Sequence, residues 1–322
     1  SSSITATVQI ITTEDLVNVI PIIGQETVYF EVNHPSDNRE PIILNMSVHS
    51  ITEIYKDKNQ IRFKLNLITT EQIINYEKRI SKYYEGSSTD IAQEVFNELG
   101  SSKTLLKKSS SDKQEMIVPN MTPFRALNWL SEKAYQGSAA DYMFFETIAG
   151  YNFVPLSSLV NSEPQIEYFS RISNVDTSPN FEDKTIIDWS IVSSFDVIDN
   201  MMRGMYKSKA LTVDILNRKS ETLEYNIYDK YFETKKLASQ PLFDISGQGR
   251  KFNSDPLYLL PENSEITYNH DKNFLNRKSQ LQLFNNLKMN LTVFGDTNVH
   301  VGSVIDLNIP FQTVTGRYYT PF

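Results

Sequence analysis

The sequence contains no cysteine and only four histidines. The absence of cysteine excludes disulfides, thiolate metal sites and cysteine nucleophiles. His34, His49, His270 and His300 are scattered along the chain, and none has a second histidine at the helical spacing that metal-binding motifs use. We therefore predict no metal site and interpret the four histidines as surface or hydrogen-bonded residues.

Long apolar runs and an excess of positive charge are also missing. No stretch approaches the ~18 apolar residues that a membrane span needs, so integral membrane association is not expected. The N-terminus lacks the layout of a signal peptide. The chain begins at Ser1 without Met, so a processed or incomplete N-terminus is expected. The net charge is −8 and the pairs Lys107–Lys108 and Lys235–Lys236 are isolated, so no sequence-specific binding of nucleic acid is expected.

Motifs of catalysis and cofactor binding are sparse. There is no Gly-x-Ser-x-Gly elbow, and Gly247-x-Gly249 lacks the third glycine of a dinucleotide loop, so we interpret it as a flexible turn. The 39 acidic residues make chance carboxylate pairs certain, so hydrolysis by two carboxylates stays an open alternative. We predict no enzymatic activity, no catalytic or cofactor-binding residue and no cofactor. The pairs Tyr83–Tyr84 and Tyr318–Tyr319 are interpreted as packing residues rather than as interface anchors.

Aromatic residues are abundant, with 17 Tyr and 18 Phe, and the first part of the chain has the patterns of strands. Strict alternation from Gln60 to Leu67 predicts a strand with one buried face, which is typical of an antiparallel sheet or a small barrel. Ile4–Ile11 and Thr27–Val32 are also predicted strands. Thr13–Val17 is predicted to form a short helical turn between them.

From about residue 69 the period of the apolar residues changes from 2 to 3.6, which predicts helices. The first is predicted from Thr69 to Tyr84, with Ile73, Tyr76 and Ile80 on the same stripe. A second begins near Ser88 and ends at Gly100, and a third begins at Thr122 and Pro123. The Ser-rich and Lys-rich stretch Ser101–Gln114 between them is predicted to be an exposed loop or an irregular hairpin.

The remainder returns to strands with Gly-rich and Pro-rich interruptions. Ala149–Gly150 predicts the turn of a hairpin between two aromatic strands. Residues 236–272 lack clear periodicity and are interpreted as an insertion, followed by a helix from Asn273 to Leu287. The other predicted strands are Tyr142–Glu146, Tyr151–Pro155, Leu211–Ile215, Leu223–Ile227, Met289–Val293 and Ile305–Ile309.

Four motifs, in this order, resemble the central baseplate hub proteins of contractile-tailed phages, the T4-like hub family, to which the spike proteins of type VI secretion are related. The third is the most specific, because family members carry an aromatic strand, a Glu, a Gly turn and a second aromatic strand there. The motifs are Ile4–Ile10 with Leu16–Asn18 and Gly24–Val28, then Met121–Leu130, then Tyr142–Leu156, and finally Gly295–Pro310.

The resemblance implies an α+β fold with two antiparallel, tail-tube-like β-barrels and smaller inserted α/β domains. Residues 1–85 would form the first barrel with a trailing helix, and residues 86–187 an inserted α/β domain. Residues 188–235 plus 288–322 would form the second barrel, interrupted by an insertion at 236–287.

The resemblance also implies a structural function in the tail baseplate of a virion, assembled in the host cytoplasm. A homotrimer would close six barrels into a pseudo-sixfold ring that joins the tail tube to the central spike and surrounds a channel for DNA or a tape-measure protein. The expected partners are further copies of the chain, the tube, spike and tape-measure proteins, and other baseplate proteins. A tail-associated cell-wall hydrolase and a carbohydrate-binding tail protein are the alternatives.

Overall fold

The computed structural model describes residues 2–14, 22–24, 26–33, 41–160, 162–170, 184–193, 195–214, 218–233, 251–252, 256–261, 268–285, 287–309 and 316–319. The fold is α+β and contains two curled half-barrel sheets, which confirms the predicted fold class. Among the described residues, no helix is both long enough and apolar enough to cross a membrane.

The N-terminal sheet is antiparallel and has four strands in the order β1-β4-β3-β2. Strand β4 buries Phe63 and Leu67 and turns Arg62 to the other face, as its alternating sequence predicts. Two irregularities in register interrupt the long strand β3, and such bulges bend a strand. The strands are β1 (Thr5–Thr12), β2 (Thr27–Val32), β3 (Ile42–Lys56) and β4 (Ile61–Thr69).

Residues 70–160 form the central α/β region, whose main apolar core lies between the helices and the aromatic hairpin. Strand β5 pairs with β7, and β9 lies between β6 and β8. The elements are α1 (Thr70–Glu77), β5 (Ile80–Gly86), α2 (Ser88–Leu99), β6 (Leu105–Lys107), β7 (Gln114–Met121), α3 (Pro123–Lys133), β8 (Tyr142–Thr147), β9 (Gly150–Pro155) and α4 (Leu156–Val160).

The predicted second and third helices and the aromatic hairpin are confirmed. Gly100 caps the C-terminus of α2 with a φ of 74°, a left-handed conformation that glycine adopts without strain. Pro123 is the first residue of α3. At the hairpin, Gly150 has a φ of 134°, and a Cβ there would lie 2.6 Å from the carbonyl oxygen of Thr104, so this position requires glycine.

The first helix and the predicted loop differ from expectation. Helix α1 ends at Glu77, and Ile80 and Tyr84 are buried on strand β5 instead. Two residues four positions apart share a face in a strand as well as in a helix, so their spacing could not separate the two structures. Within the predicted loop, Leu105–Lys107 forms strand β6, which pairs in parallel with β9.

The C-terminal half contains a five-stranded sheet, in the order β15-β11-β10-β16-β17, and a three-stranded sheet, in the order β13-β12-β14. Its elements are β10 (Ile166–Ser170), β11 (Thr185–Ser193), α5 (Val197–Met202), β12 (Lys207–Asp214), β13 (Lys219–Asn226), α6 (Ile227–Lys230), β14 (Leu257–Pro261), α7 (Tyr268–Phe284), β15 (Lys288–Val293), β16 (Val304–Asn308) and β17 (Gly316–Tyr319).

Strand membership in this half differs from the expected arrangement. The hairpin β12–β13 has the predicted antiparallel pairing, but it joins β14 in the three-stranded sheet rather than the five-stranded sheet. Strand β10 lies in the predicted inserted domain and pairs in parallel with both β11 and β16. The residue boundaries of the four domains stay a prediction. The turn at 247–250, the lysine pair at 235–236, and residues 15–17 of the predicted helical turn lie outside the described residues.

Candidate assembly surfaces and an internal junction

The residues weighed as site candidates do not come together. His49 is exposed on β3, and His300 lies in the turn before β16, where its Nδ1 is 2.9 Å from the carbonyl oxygen of Val301. His34 and the side chain of His270 are outside the described residues. In the described part of the chain, no group of three or more His, Asp or Glu side chains could hold a metal ion. That the chain has no catalytic, cofactor or metal residue stays a prediction.

The structure places the paired tyrosines and lysines in different environments. Tyr84 is buried, and its hydroxyl donates to Glu98 at 3.0 Å, which confirms the packing expected of it. Tyr83, its neighbour, faces the other way and is exposed, so the packing interpretation was wrong for this residue. Lys107 and Lys108 are exposed at the end of β6. The backbone of Tyr318 and Tyr319 lies in β17, opposite Ile305 and Val304.

The N-terminal sheet has two edges. Among the described strands, β1 pairs only with β4 and β2 only with β3. One side of each edge strand therefore has backbone donors and acceptors without a strand partner in this part of the chain. Soluble proteins blunt or cover such edges, or pair them with another chain.

The apolar face of this sheet is only partly covered within the chain. The inward side chains of the central strand β4 are buried, whereas Val8 and Ile10 on β1 and Val28 and Phe30 on β2 are half-buried. A second layer over β1 and β2 would bury them further. Ile11, the neighbour of Ile10, points to the opposite face and is 54% exposed there.

The opposite face of the sheet is polar and hydrogen-bonded. Asn66 Oδ1 accepts from the hydroxyl of Thr7, and Asn66 Nδ2 donates to Ser50 and Thr52, so one amide connects three strands. Beside it, Lys64 pairs with Glu53. This face therefore offers hydroxyls and amides with little net charge.

The five-stranded sheet has the same character. Its buried residues lie on the central strands, namely Tyr168 on β10, Ile186 on β11, and Ile305 and Leu307 on β16. Strands β15 and β17 are its edges within the described residues. On β11, Ile187, Ile191 and Val192 are all exposed. Scattered exposed apolar residues are ordinary, but a group on one strand indicates a surface that binds another surface.

A buried ionic junction joins the N-terminal sheet to the central α/β region. The carboxylate of Glu146 on β8 is 0% exposed, and its Oε2 accepts from the amide of Ile4 at 2.7 Å and from the hydroxyl of Thr69 at 3.1 Å. Its Oε1 is 2.6 Å from Lys103 Nζ, which also binds Glu71 at 3.0 Å. We call these residues the Glu146 junction.

The charges of the Glu146 junction compensate one another. Burial disfavours the cation of Lys103, but hydrogen bonds to Glu146 and Glu71 outweigh this effect and raise its pKa, so the lysine stays charged at neutral pH. Ser101 donates a further hydrogen bond to Glu71 at 3.0 Å. A buried carboxylate is tolerated when it is paired and hydrogen-bonded. The stability of the junction therefore depends on each of the partners of Glu146.

Sequence reasoning did not find this junction. The Glu of the third motif is Glu146, but Lys103 lies in the Ser-rich and Lys-rich stretch for which the sequence predicts an exposed loop or an irregular hairpin. Lys103 is 43 residues from Glu146 and 32 from Glu71, so no local pattern connects them. The available signal was the aromatic sequence around Glu146, which predicts a buried strand. A carboxylate on a buried strand needs a cation or hydrogen-bond donors as partners.

A second contact fixes the start of β8 against α7. Arg277 is buried, and its guanidinium donates to the carbonyl oxygens of Ala140 at 3.0 Å and Tyr142 at 2.7 Å. Burial lowers its pKa, with opposing contributions from Glu132 and Asp141. Gln280, one turn further along α7, accepts from the Ala140 amide. The aromatic hairpin is therefore held by the Glu146 junction and, from a distant part of the sequence, by helix α7.

Comparisons with known proteins give a match in structure alone. No family model matches the chain, and no curated protein matches it in sequence. A tail protein from Neisseria meningitidis MC58 is similar with a TM-score of 0.57 at 11% identity, over 99% of this chain and 82% of that chain. The 43 kDa tail protein of prophage MuSo2 from Shewanella oneidensis is similar with a TM-score of 0.60 at 11% identity, over 98% of this chain and 84% of that chain.

Both similarities extend over nearly the whole chain, so they cover both half-barrel sheets and the regions between them. At 11% identity they show a shared fold and not a shared activity. The chain has the fold of phage tail proteins, which confirms at the level of the fold the resemblance indicated by its four motifs.

Proposed function

We propose that this chain is a structural subunit of a phage-type tail and forms the central hub of its baseplate. The observation that carries the proposal is the pair of half-barrel sheets whose edges and apolar faces are incompletely covered by the residues that the structure describes. A protein with two such surfaces gains stability when copies associate, because association pairs the edges and buries the exposed apolar groups.

Three copies would bring six such sheets together in a pseudo-sixfold ring. Each protomer contributes one N-terminal and one five-stranded sheet, so the ring alternates between two similar units. Such a ring would match a sixfold tail tube on one side and a threefold spike on the other. One barrel is proposed on each sheet, so the second barrel includes β10 and leaves the hairpin β12–β13 outside it.

The polar face of the N-terminal sheet suits the wall of the proposed channel. Its hydroxyls and amides are bonded to one another through Asn66, and Lys64 is paired with Glu53. With a net charge of −8, the protein lacks the clustered cations that bind phosphates tightly. DNA or a tape-measure protein would therefore pass without being retained.

The proposal places the protein in the baseplate of the virion tail, without enzymatic activity. Its partners would be two further copies of itself, the tail tube protein, the central spike, the tape-measure protein and other baseplate proteins. The tail proteins of similar fold span most of this chain and support a tail location.

Native mass spectrometry and negative-stain imaging test the ring. We expect a species of three times the 37.0 kDa protomer mass, either alone or once tube and spike proteins are added, and ring-shaped particles with a central hole. A strictly monomeric protein that forms no ring with both partners present would refute the hub. Clearing of peptidoglycan by the purified protein would favour the hydrolase instead.

Charged substitutions at the sheet margins sharpen this test. Ile11→Lys and Tyr29→Lys place a cation at exposed positions on β1 and β2, so the protomer should fold normally while the ring is lost. Ile117→Lys is the matched control, because Ile117 is also exposed but lies on β7 in the central α/β region. If all three variants form rings as the unmodified protein does, the N-terminal sheet is not the ring contact.

A further inference from the structure

A polar cleft lies between α1 and α3, and none of its lining residues belongs to a strand of the half-barrel sheets. Its volume is about 450 Å³, which is room for one or two side chains of a partner. Phe124 and Tyr76 supply aromatic surface, and the other lining residues are Ser2, Gln72, Asn75, Arg79, Thr122, Arg125 and Asn128. Acidic residues are absent from this lining. The cleft therefore presents mainly hydrogen-bond donors.

One amide donor at the wall of the cleft has no partner among the described residues. Asn75 is 3% exposed, and its Oδ1 accepts from the backbone amide of Phe124 at 2.7 Å. That bond fixes the orientation of the side-chain amide, because a backbone N–H can only donate. Asn75 Nδ2 then has no hydrogen-bond acceptor among the described residues. This amide N–H faces the cleft that Asn75 lines, so it can donate to an acceptor atom of a ligand there.

Two arginines and a second amide add to the donors. Arg79 follows the end of α1 and Arg125 lies in the first turn of α3, and both are exposed at the cleft. Within the part of the chain that the structure describes, neither guanidinium has an ion pair or a hydrogen bond. Gln72 accepts from Ser3 through its Oε1, which leaves its Nε2 free to donate.

We propose that this cleft binds the carboxylate of an acidic side chain from a partner protein. A carboxylate offers two acceptor oxygens that match the planar fork of arginine, and its remaining lone pairs can accept from Asn75 and Gln72. The methylene groups of a Glu would pack on Tyr76 and Phe124. The site is independent of the proposed ring, because it uses neither of the sheet edges.

Charge favours a protein ligand over a nucleic acid. Binding of a phosphate backbone needs many clustered cations, whereas this cleft has two arginines in a protein whose net charge is −8. A short acidic segment needs only this small number of donors. One or two carboxylates also fit a cleft of about 450 Å³ better than a nucleotide chain does.

Fluorescence anisotropy with a labelled, end-capped Gly-Glu-Phe-Glu-Gly peptide tests the proposal on the full chain. We expect saturable binding that Arg79→Gln combined with Arg125→Gln weakens by at least about tenfold, since each removes a charge-assisted hydrogen bond. Asn75→Asp keeps the acceptor for the Phe124 amide but replaces the free donor with an anion, so it should also weaken binding about tenfold. The Gln analogue of the peptide should bind far more weakly.

Lys107→Gln combined with Lys108→Gln is the matched control, because it also removes two positive charges, at exposed positions at the end of β6. This variant should bind the peptide as the unmodified chain does, and all variants should keep the same circular dichroism spectrum. Equal binding by the arginine variant would overturn the proposal. Tighter Arg79-dependent binding of inorganic phosphate or of a single-stranded oligonucleotide would also overturn it. Arg79-dependent self-association without peptide binding would replace the partner protein by a second copy of the chain.

Discussion

Strands β9 and β1 are both short strands of the same chain, yet they are buried to very different degrees. Every residue of β9, from Gly150 to Pro155, is buried, whereas no residue of β1 is. Strand β9 lies between two other strands and under the helices of the central α/β region. Strand β1 lies at an edge, and its inward residues are only half-buried.

The difference separates a region that completes its own core from one that does not. In the central α/β region, Phe144 stacks on Tyr151 with ring centroids 5.5 Å apart, and Phe96 packs on the same tyrosine. The half-barrel sheets have no such second layer among the described residues. We infer that the central region folds on contacts within one chain, and that the sheets are completed by association.

The largest expected effect is at the Glu146 junction, where the two regions meet. Glu146→Ala leaves Lys103 with a single carboxylate and removes the acceptor of the Ile4 amide and the Thr69 hydroxyl. Because the change leaves a buried amide and a buried hydroxyl without their acceptor and removes one of the two carboxylates that bind Lys103, we expect a loss of about 3–5 kcal/mol in unfolding free energy. Urea unfolding followed by the fluorescence of Trp129, in a Trp189→Phe background, measures it.

Amide hydrogen exchange shows which strands are destabilised in this variant. The amides of β1 and β4 should exchange faster in Glu146→Ala, because the junction holds the sheet against the central α/β region. Glu77→Ala is the control, since Glu77 is exposed at the end of α1, and its effect should stay within about 0.5 kcal/mol. A loss in Glu146→Ala no larger than in this control would mean that the junction does not couple the regions.

Local patterns were enough to predict many of the elements from sequence. Strand β4 follows from strict alternation, and α2 and α3 follow from their apolar stripes together with Gly100 and Pro123. Strand β5 was missed because Ile80 and Tyr84 have a spacing that fits either structure. Strand β10 is held by parallel pairing with distant β16, such as Ile166 with Ile305, and β11 by antiparallel pairing with distant β15, and local sequence does not specify such pairing.

The junction and the cleft could not be predicted, for the same physical reason. The partners of Glu146 come from Ile4, Thr69 and Lys103, and the donors of the cleft come from two helices with β5 and β7 between them in sequence. Polar side chains have no periodicity that reports their partners, unlike apolar residues on a helix or strand. Only the folded chain brings these groups together.

Matched leucine truncations compare the two cores directly. Leu99 on α2 is fully buried, whereas Leu44 on β3 is half-buried at the face of the N-terminal sheet. We expect Leu99→Ala to lower the unfolding free energy by about 2–5 kcal/mol, and Leu44→Ala in the unassembled protein by about 1 kcal/mol. Urea titration with circular dichroism measures both changes. Equal losses would show that the sheet completes its core without partners.

Two glycines with positive φ give the smallest and most local contrast. A Cβ at Gly150 would lie 2.6 Å from the Thr104 carbonyl oxygen, whereas a Cβ at Gly24 in the N-terminal sheet would lie 3.6 Å from that of Val48, an ordinary contact. Both alanine variants strain the backbone because φ is positive, and we expect Gly24→Ala to lower the unfolding free energy by about 1 kcal/mol. Gly150→Ala must also move β9 away from residue 104, so we expect it to lower the unfolding free energy by about 2–3 kcal/mol. Thermal unfolding measures the difference. If Gly150→Ala lowers the unfolding midpoint no more than Gly24→Ala does, the backbone of the central α/β region adapts to an added Cβ as easily as that of the N-terminal sheet. The tighter packing of side chains in the central region would then not be matched by a more rigid backbone.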